Sequence, residues 1–189
     1  MEKKINFKNA IFIFFFIYLF VGLFIYKDFG VGIEEHFQRQ NGFYWLDHFF
    51  SSSNFESMRT IIDSKYQEIL ETDPNLPNSS IFNFYGIIFD VPLAFIETLL
   101  NINSSKTYFE IRHLANFLVF FTSSIYFYKI LKRRFNNNLI IFLGLFFYVC
   151  SPRIFGDSFY NNKDILFLSI LTISIFYLFE ELNNKNNKN

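Results

Sequence analysis

One cysteine in a chain of 189 residues removes several possibilities at once. Cys150 has no second thiol in the chain for a disulfide, and without a Cys/His cluster a structural zinc site is not expected. His36, His48 and His113 lack metal-ligand spacing, so no metal site is expected from them either. Formal net charge is zero, which leaves no overall basic surplus of the kind that grips nucleic acid, and no nucleic-acid partner is expected. Also scarce is the alternation of apolar and polar positions from which a soluble core is built.

Present instead are long apolar blocks dominated by phenylalanine, which accounts for 31 residues. Ile11 to Tyr26 ("IFIFFFIYLFVGLFIY") carries no charge, and with Ala10 it approaches the roughly 20 residues that span a hydrocarbon core. Leu114 to Tyr128, Leu139 to Cys150 and Ile165 to Phe179 are uncharged as well. Mean hydropathy is only +0.21 because polar segments separate the blocks. The fold expected is an all-α, polytopic helical membrane protein whose first partner is the lipid bilayer. The basic start (Lys3, Lys4, Lys8) fits a signal peptide, but no small-x-small cleavage site follows, so residues 1–26 read as an uncleaved first helix.

Basic residues orient the chain. Lys3, Lys4 and Lys8 precede the first block, and Lys129, Lys132, Arg133 and Arg134 close the second, so both places are expected on the cytoplasmic side. That requires Ile81 to Leu100 not to cross. Asn83, Asp90 and Glu97 recur every seven residues there, giving a polar stripe, and a carboxylate at mid-bilayer costs about 2.5–3.5 kcal/mol. The segment is therefore expected to lie in the membrane interface, with a break or helix start at Pro92. About four spans follow, near 10–27, 114–131, 139–150 and 165–180, within a membrane region covering 1–182. Residues 28–113 form a large outer loop, "SPRIFGDSFYNNKD" a short one, and 183–189 a disordered cytoplasmic tail. In the large loop, "FYWLDHFF" suits headgroup level, and Phe55, Met58, Ile61, Ile62, Ile69 and Leu70 have helical spacing with Ser53 or Asn54 as N-cap. The loop reads as interfacial helices around the turn "TDPNLPNSS", not as a domain with its own core.

Most acidic residues fall in these outer loops, so any chemistry is expected on that face. Glu34 and Glu35, in "GIEEHFQRQNG", stand just beyond the first block. A carboxylate held there can act as general base toward an acceptor, or help to bind a divalent cation, which wants oxygens from several elements. Arg153 and Lys163 suit a phosphate, and Asp157 and Asp164 offer further carboxylates. Two plainer readings stand beside these: a solvated acidic pair, and cations that anchor the flanking spans by snorkelling.

The order of features resembles the GT-C-type membrane glycosyltransferases, the broad family of dolichyl-phosphate-mannose protein mannosyltransferases and their bacterial relatives. "GIEEHFQRQNG" looks like the family's acidic motif, "EIRHLANFLVFF…YKILKRRF" like its second span, and "FYVCSPRIFGDSFYNNKDILFLSI" like its third-to-fourth span region. The resemblance implies transfer of a sugar from a polyprenyl-phosphate donor on the outer face of a bacterial inner membrane, with both termini cytoplasmic. Glu34 falls where the family's catalytic aspartate usually sits, with Glu35 as its neighbour; Glu for Asp is a departure from the common pattern. Arg39, Arg153, Asp157, Lys163 and Asp164 would then contact substrate. Family members continue through many further spans, so the resemblance is to an N-terminal part. The competing expectation is a non-catalytic membrane protein, or an inactive fragment, that acts only through association with a partner.

Overall fold

The computed structural model describes residues 7–51, 55–72 and 79–186. Among them every regular element is helical: α1 (Phe7–Ile25), α2 (Glu35–Phe50), α3 (Glu56–Thr72), a short 3-10 helix (Ser79–Phe84), α4 (Asp90–Leu99), α5 (Ser105–Arg134), α6 (Asn138–Cys150), α7 (Pro152–Tyr160) and α8 (Asp164–Asn186). Two helices, α5 and α8, are long and apolar enough to cross a membrane, and the bent pair α6 and α7 makes up to three. The apolar run of α1, Asn9–Ile25, is shorter. Lys3, Lys4, Ser53, Asn54, most of the "TDPNLPNSS" turn and residues 187–189 lie outside the described residues.

The chain divides into two compact units, 1–29 with 113–189, and Gly30–Arg112. In the first, the apolar cluster is built from Ile11, Tyr18, Phe117, Phe120, Leu145 and Phe159 with their neighbours. Phe159 stacks on Phe117 with ring centroids 5.1 Å apart and on Phe29 at 4.3 Å. Such ring pairs contribute about 0.5–1.5 kcal/mol beyond the area they bury. The Phe117 ring occupies the space a Cβ on Gly22 would need, so glycine there permits the close approach of α1 and α5. Buried hydroxyls bond back to their own helices: Ser123 Oγ donates to Phe120 O at 2.8 Å and Thr172 Oγ1 to Leu168 O at 2.8 Å. Small residues of this kind suit helix packing where lipid leaves no hydrophobic drive between helices.

Pro152 explains the break between α6 and α7. A proline disfavours helical geometry in the residue before it, and Ser151 takes φ −57°, ψ 122°. The two helices bend by 54° there, with Pro152 at the start of α7. The stretch expected as a loop is thus partly helix. The tail expected to be disordered from 183 is likewise helical as far as Asn186.

The unit Gly30–Arg112 corrects a second expectation, because it has an apolar core of its own, formed by Phe43, Leu46, Ile62, Ile69 and Ala94. Helix α2 is its centre and packs on both α3 and α4. Gly42, in mid-helix, costs about 1 kcal/mol relative to alanine in propensity. Packing accounts for it: a Cβ at 42 would stand 2.6 Å from the backbone oxygen of Asp90. The region 81–100 is not one helix; α4 begins at Asp90 with Pro92 in its first turn, where no intrahelical N–H bond is lost. It ends at Asn101, the one non-glycine residue with positive φ (47°) among the described residues. Asn101 N–H donates to Thr98 O at 3.1 Å and Ile102 N–H to Glu97 O at 3.0 Å, a left-handed helix stop that asparagine tolerates well.

Candidate functional site

Helix α2 starts inside the acidic motif and treats its two glutamates differently. Glu34 occupies the N-cap position and is exposed, and its side chain makes no capping bond. Glu35 is the first helical residue and is buried; its Oε2 accepts the Gly32 N–H at 2.5 Å. A carboxylate at a helix N-terminus also meets the positive end of the helix dipole, worth about 0.3–1 kcal/mol. The buried member therefore ties the approach "VGI" to the helix, and the exposed member stands at its tip.

One turn on, Arg39 points from the same face into a buried ionic network. Its Nε donates to Glu97 Oε1 at 3.0 Å and its Nη2 to the same oxygen at 2.5 Å. The guanidinium lies 3.8 Å from the centroid of the Tyr108 ring. Arg112, equally buried, reaches Asp90 at 3.7 Å and Glu97 at 4.0 Å. Asn41 Nδ2 donates to Asp90 Oδ2 at 3.1 Å and to Gly86 O at 3.3 Å. From α3, the buried Lys65 donates to Ile102 O at 2.5 Å and to Asn103 Oδ1 at 3.0 Å. Burial above all, then the charge of Arg39, lowers the Lys65 ammonium from its ordinary value, with Glu97 and Glu68 opposing. Beside Arg112 and Tyr108 is a cavity of about 10 Å³, at the size limit for a single water molecule.

Such a network is held by mutual neutralisation. Each buried ion costs several kcal/mol to desolvate, and the cost is recovered only with close geometry and completed hydrogen bonds. Arg39 and Glu97 meet that condition through their two-pronged contact. Arg39, expected to contact substrate, thus has one edge of its guanidinium committed to Glu97. The polar stripe of Asp90 and Glu97, expected on a helix in the membrane interface, is turned inward, with Glu97 only 3% exposed.

The other expected residues belong to the unit formed by 1–29 and 113–189. Arg153 is exposed on α7 and lies 3.6 Å from Asp157, one turn along. Tyr160 Oη donates to Asp157 Oδ1 at 3.0 Å, and Asn116 Nδ2 donates to the Asp157 carbonyl at 3.3 Å. Asp164 opens α8; its N–H donates to Asn161 Oδ1 and its Oδ2 accepts from Asn161 Nδ2, both at 3.1 Å. Lys163 is exposed beside it. The structure therefore groups Glu34, Glu35 and Arg39 in one unit and Arg153, Asp157, Lys163 and Asp164 in the other. Among the described residues no three His, Cys, Asp or Glu side chains gather as metal ligands.

Glu97, Arg112, Lys65 and Asn41 were not among the expected site residues. The seven-residue spacing of Asp90 and Glu97 signalled one shared face; Arg39 lies 58 residues before its partner, beyond the reach of any local pattern. Comparison with family models, with curated proteins and with solved structures yields no match for this chain.

Proposed function

We propose that this chain is the N-terminal part of a GT-C-type membrane glycosyltransferase, transferring a sugar from a polyprenyl-phosphate donor to an acceptor at the outer membrane face. In this reading α1, α5, the α6–α7 pair and α8 are four spans, both termini are cytoplasmic, and the membrane is a bacterial inner membrane. At 19 residues, α1 is about 28 Å long at 1.5 Å per residue, close to the hydrocarbon thickness. Lys129, Lys132, Arg133 and Arg134 at the end of α5 fit a cytoplasmic boundary.

The observation that carries the reading is the division of the acidic pair. A general base must reach its acceptor and keep a fixed direction. Glu34 is exposed at the tip of a helix, and Glu35 beside it is buried and anchors the preceding turn. Glu34 is accordingly the base and Glu35 the residue that positions it. Arg153 and Lys163 remain exposed and suit a donor phosphate. The competing reading is a non-catalytic membrane protein acting through a partner; the engagement of Arg39 by Glu97 and of Asp164 by Asn161 favours it.

The two separate in a transfer assay with the complete gene product in native membranes and a radiolabelled polyprenyl-phosphate sugar. Glu34→Gln is expected to reduce transfer by roughly 10²–10⁴-fold, the usual contribution of a general base, without loss of folded protein. Transfer unchanged in Glu34→Gln would refute the assignment.

A further inference from the structure

Helix α4 is built inside out for a protein in water. Its carboxylates Asp90 and Glu97 are buried beside Leu93 and Ala94, while four other apolar residues at its C-terminal end are outside: Leu99 is 60% exposed and Leu100 62%, with Phe95 and Ile96 exposed beside them. An amphipathic helix in water turns the opposite way, apolar face to the core and charges to solvent. Exposed apolar patches of this kind mark a contact surface. Where the surroundings are hydrocarbon, ionisable groups face the protein interior and pair with one another, as Glu97 does with Arg39 and Asp90 with Arg112.

We infer that the outer face of α4 is a lipid-contacting surface, immersed in bilayer acyl chains with Leu99 and Leu100 at its centre. Two further observations select lipid as the occupant. The unit that contains α4 continues in the chain into apolar helices, α1 before Gly30 and, after Arg112, α5, which is long and apolar enough to cross a membrane. Immediately before α4, Phe84 and Ile88 are also strongly exposed, so the apolar surface runs on into the approach to the helix. Ten residues make α4 about 15 Å long, too short to cross, so it enters from one side without leaving by the other. The helix is fastened from behind, by the ion pairs and by the Gly42 crossing, and greased in front. The inference depends on the membrane reading of α5 and α8 and not on any transferase activity.

Spin labels test it in the full chain reconstituted in phosphatidylcholine–phosphatidylglycerol vesicles. Cys150→Ser removes the exposed native thiol, and single cysteines are placed by Leu99→Cys on α4, Phe167→Cys on α8 and Glu68→Cys on α3. Accessibility to oxygen, which concentrates in lipid, is compared with accessibility to a water-soluble nickel chelate. The labels at 99 and 167 are expected to be relaxed by oxygen and shielded from nickel, and the label at 68 the reverse. Leu100→Cys repeats the reading should the Leu99 variant fold poorly. Nickel access at 99 and 100 with oxygen access at 167 overturns the inference and leaves the spanning helices intact. Shielding of 99 from both reagents, with spin–spin broadening that grows with protein density, shows a second copy on this face and also overturns it. Nickel access at 167 removes the membrane reading and the inference with it.

Discussion

Two helices of one small unit, α3 and α4, are both amphipathic and face opposite worlds. Helix α3 buries Ile62 and Ile69 against α2 and turns Glu56, Asp63, Gln67, Glu68 and Glu71 outward, as a helix in water does. Helix α4 buries Asp90 and Glu97 and turns Phe95, Ile96, Leu99 and Leu100 outward. Both pack on α2, so the difference arises from the partner groups α2 and α5 supply. Against α3, α2 presents apolar side chains such as Phe43 and Leu46. Against α4 it adds Arg39 and Asn41 to the apolar contact with Ala94, and α5 adds Arg112. The arginines make an acidic inner face stable, and Leu99 and Leu100 of α4 stay on the outside. Lys65 is the exception on α3, a buried cation whose charge is met by the carbonyl and amide oxygens that follow α4.

Removing the charge from the inner face of α4 should break this contrast most severely. Glu97→Gln keeps the shape but removes the carboxylate that the buried Arg39 and Arg112 share. Losing one partner of a buried pair costs about 3–5 kcal/mol. The same change at the exposed Glu68 of α3 should stay within about 0.5 kcal/mol. Thermal unfolding in detergent micelles, followed through Trp45 of α2, measures both. Equal small losses at the two positions would mean that the ion pair is as wet as the surface of α3.

The crossing of α2 and α4 comes next in size. A methyl group at 42 would stand 2.6 Å from the Asp90 carbonyl, a backbone atom that cannot move without shifting the helix. Overpacking of this kind costs about 1–3 kcal/mol, far more than the helix propensity gained by Gly42→Ala returns. The expected signature is a lower unfolding temperature together with weaker docking of α4, read as faster amide exchange in 93–99 than in 60–69. Exchange that quickens equally in both helices would place the strain in α2 as a whole.

How much of this was legible in the sequence follows the same division. The apolar runs of α1, α5, α6 and α8 were readable because uninterrupted hydrocarbon needs no knowledge of partners. Helix α3 was readable because its pattern obeys the rule for water. The amphipathic stripe of α4 was readable too, but not its direction: periodicity shows that two faces differ and is silent on which faces inward. That depended on Arg39 and Arg112, which no local pattern links to Glu97. Helix α7 falls in the stretch that the topology assigns to a short outer loop; Pro152, at its start, is its one local signal. The acidic pair was found as a motif, but the exposure of Glu34 and burial of Glu35 follow from which of them begins α2.

The smallest expected effect lies between α2 and α3 and has the opposite sign. Burial, with the neighbouring Asp63 carboxylate, raises the Asp47 carboxyl from its ordinary value, while Arg59 and His48 oppose. A folded-state value above the unfolded one, which is about 3.9, means that the native state binds the proton more tightly. Native stability from this group is therefore fullest at low pH and declines as pH rises from about 4 through the folded value. Asp47→Asn removes the ionised form and its repulsion from Asp63. The variant should match the parent protein below about pH 4 and exceed it at pH 7, by no more than about 1 kcal/mol because Asp63 is exposed and screened. Unfolding of both proteins at the two pH values gives the comparison. A variant less stable than the parent at pH 7 would show instead that Arg59 holds Asp47 as a favourable carboxylate, making the outward face of α3 part of what fastens it to α2.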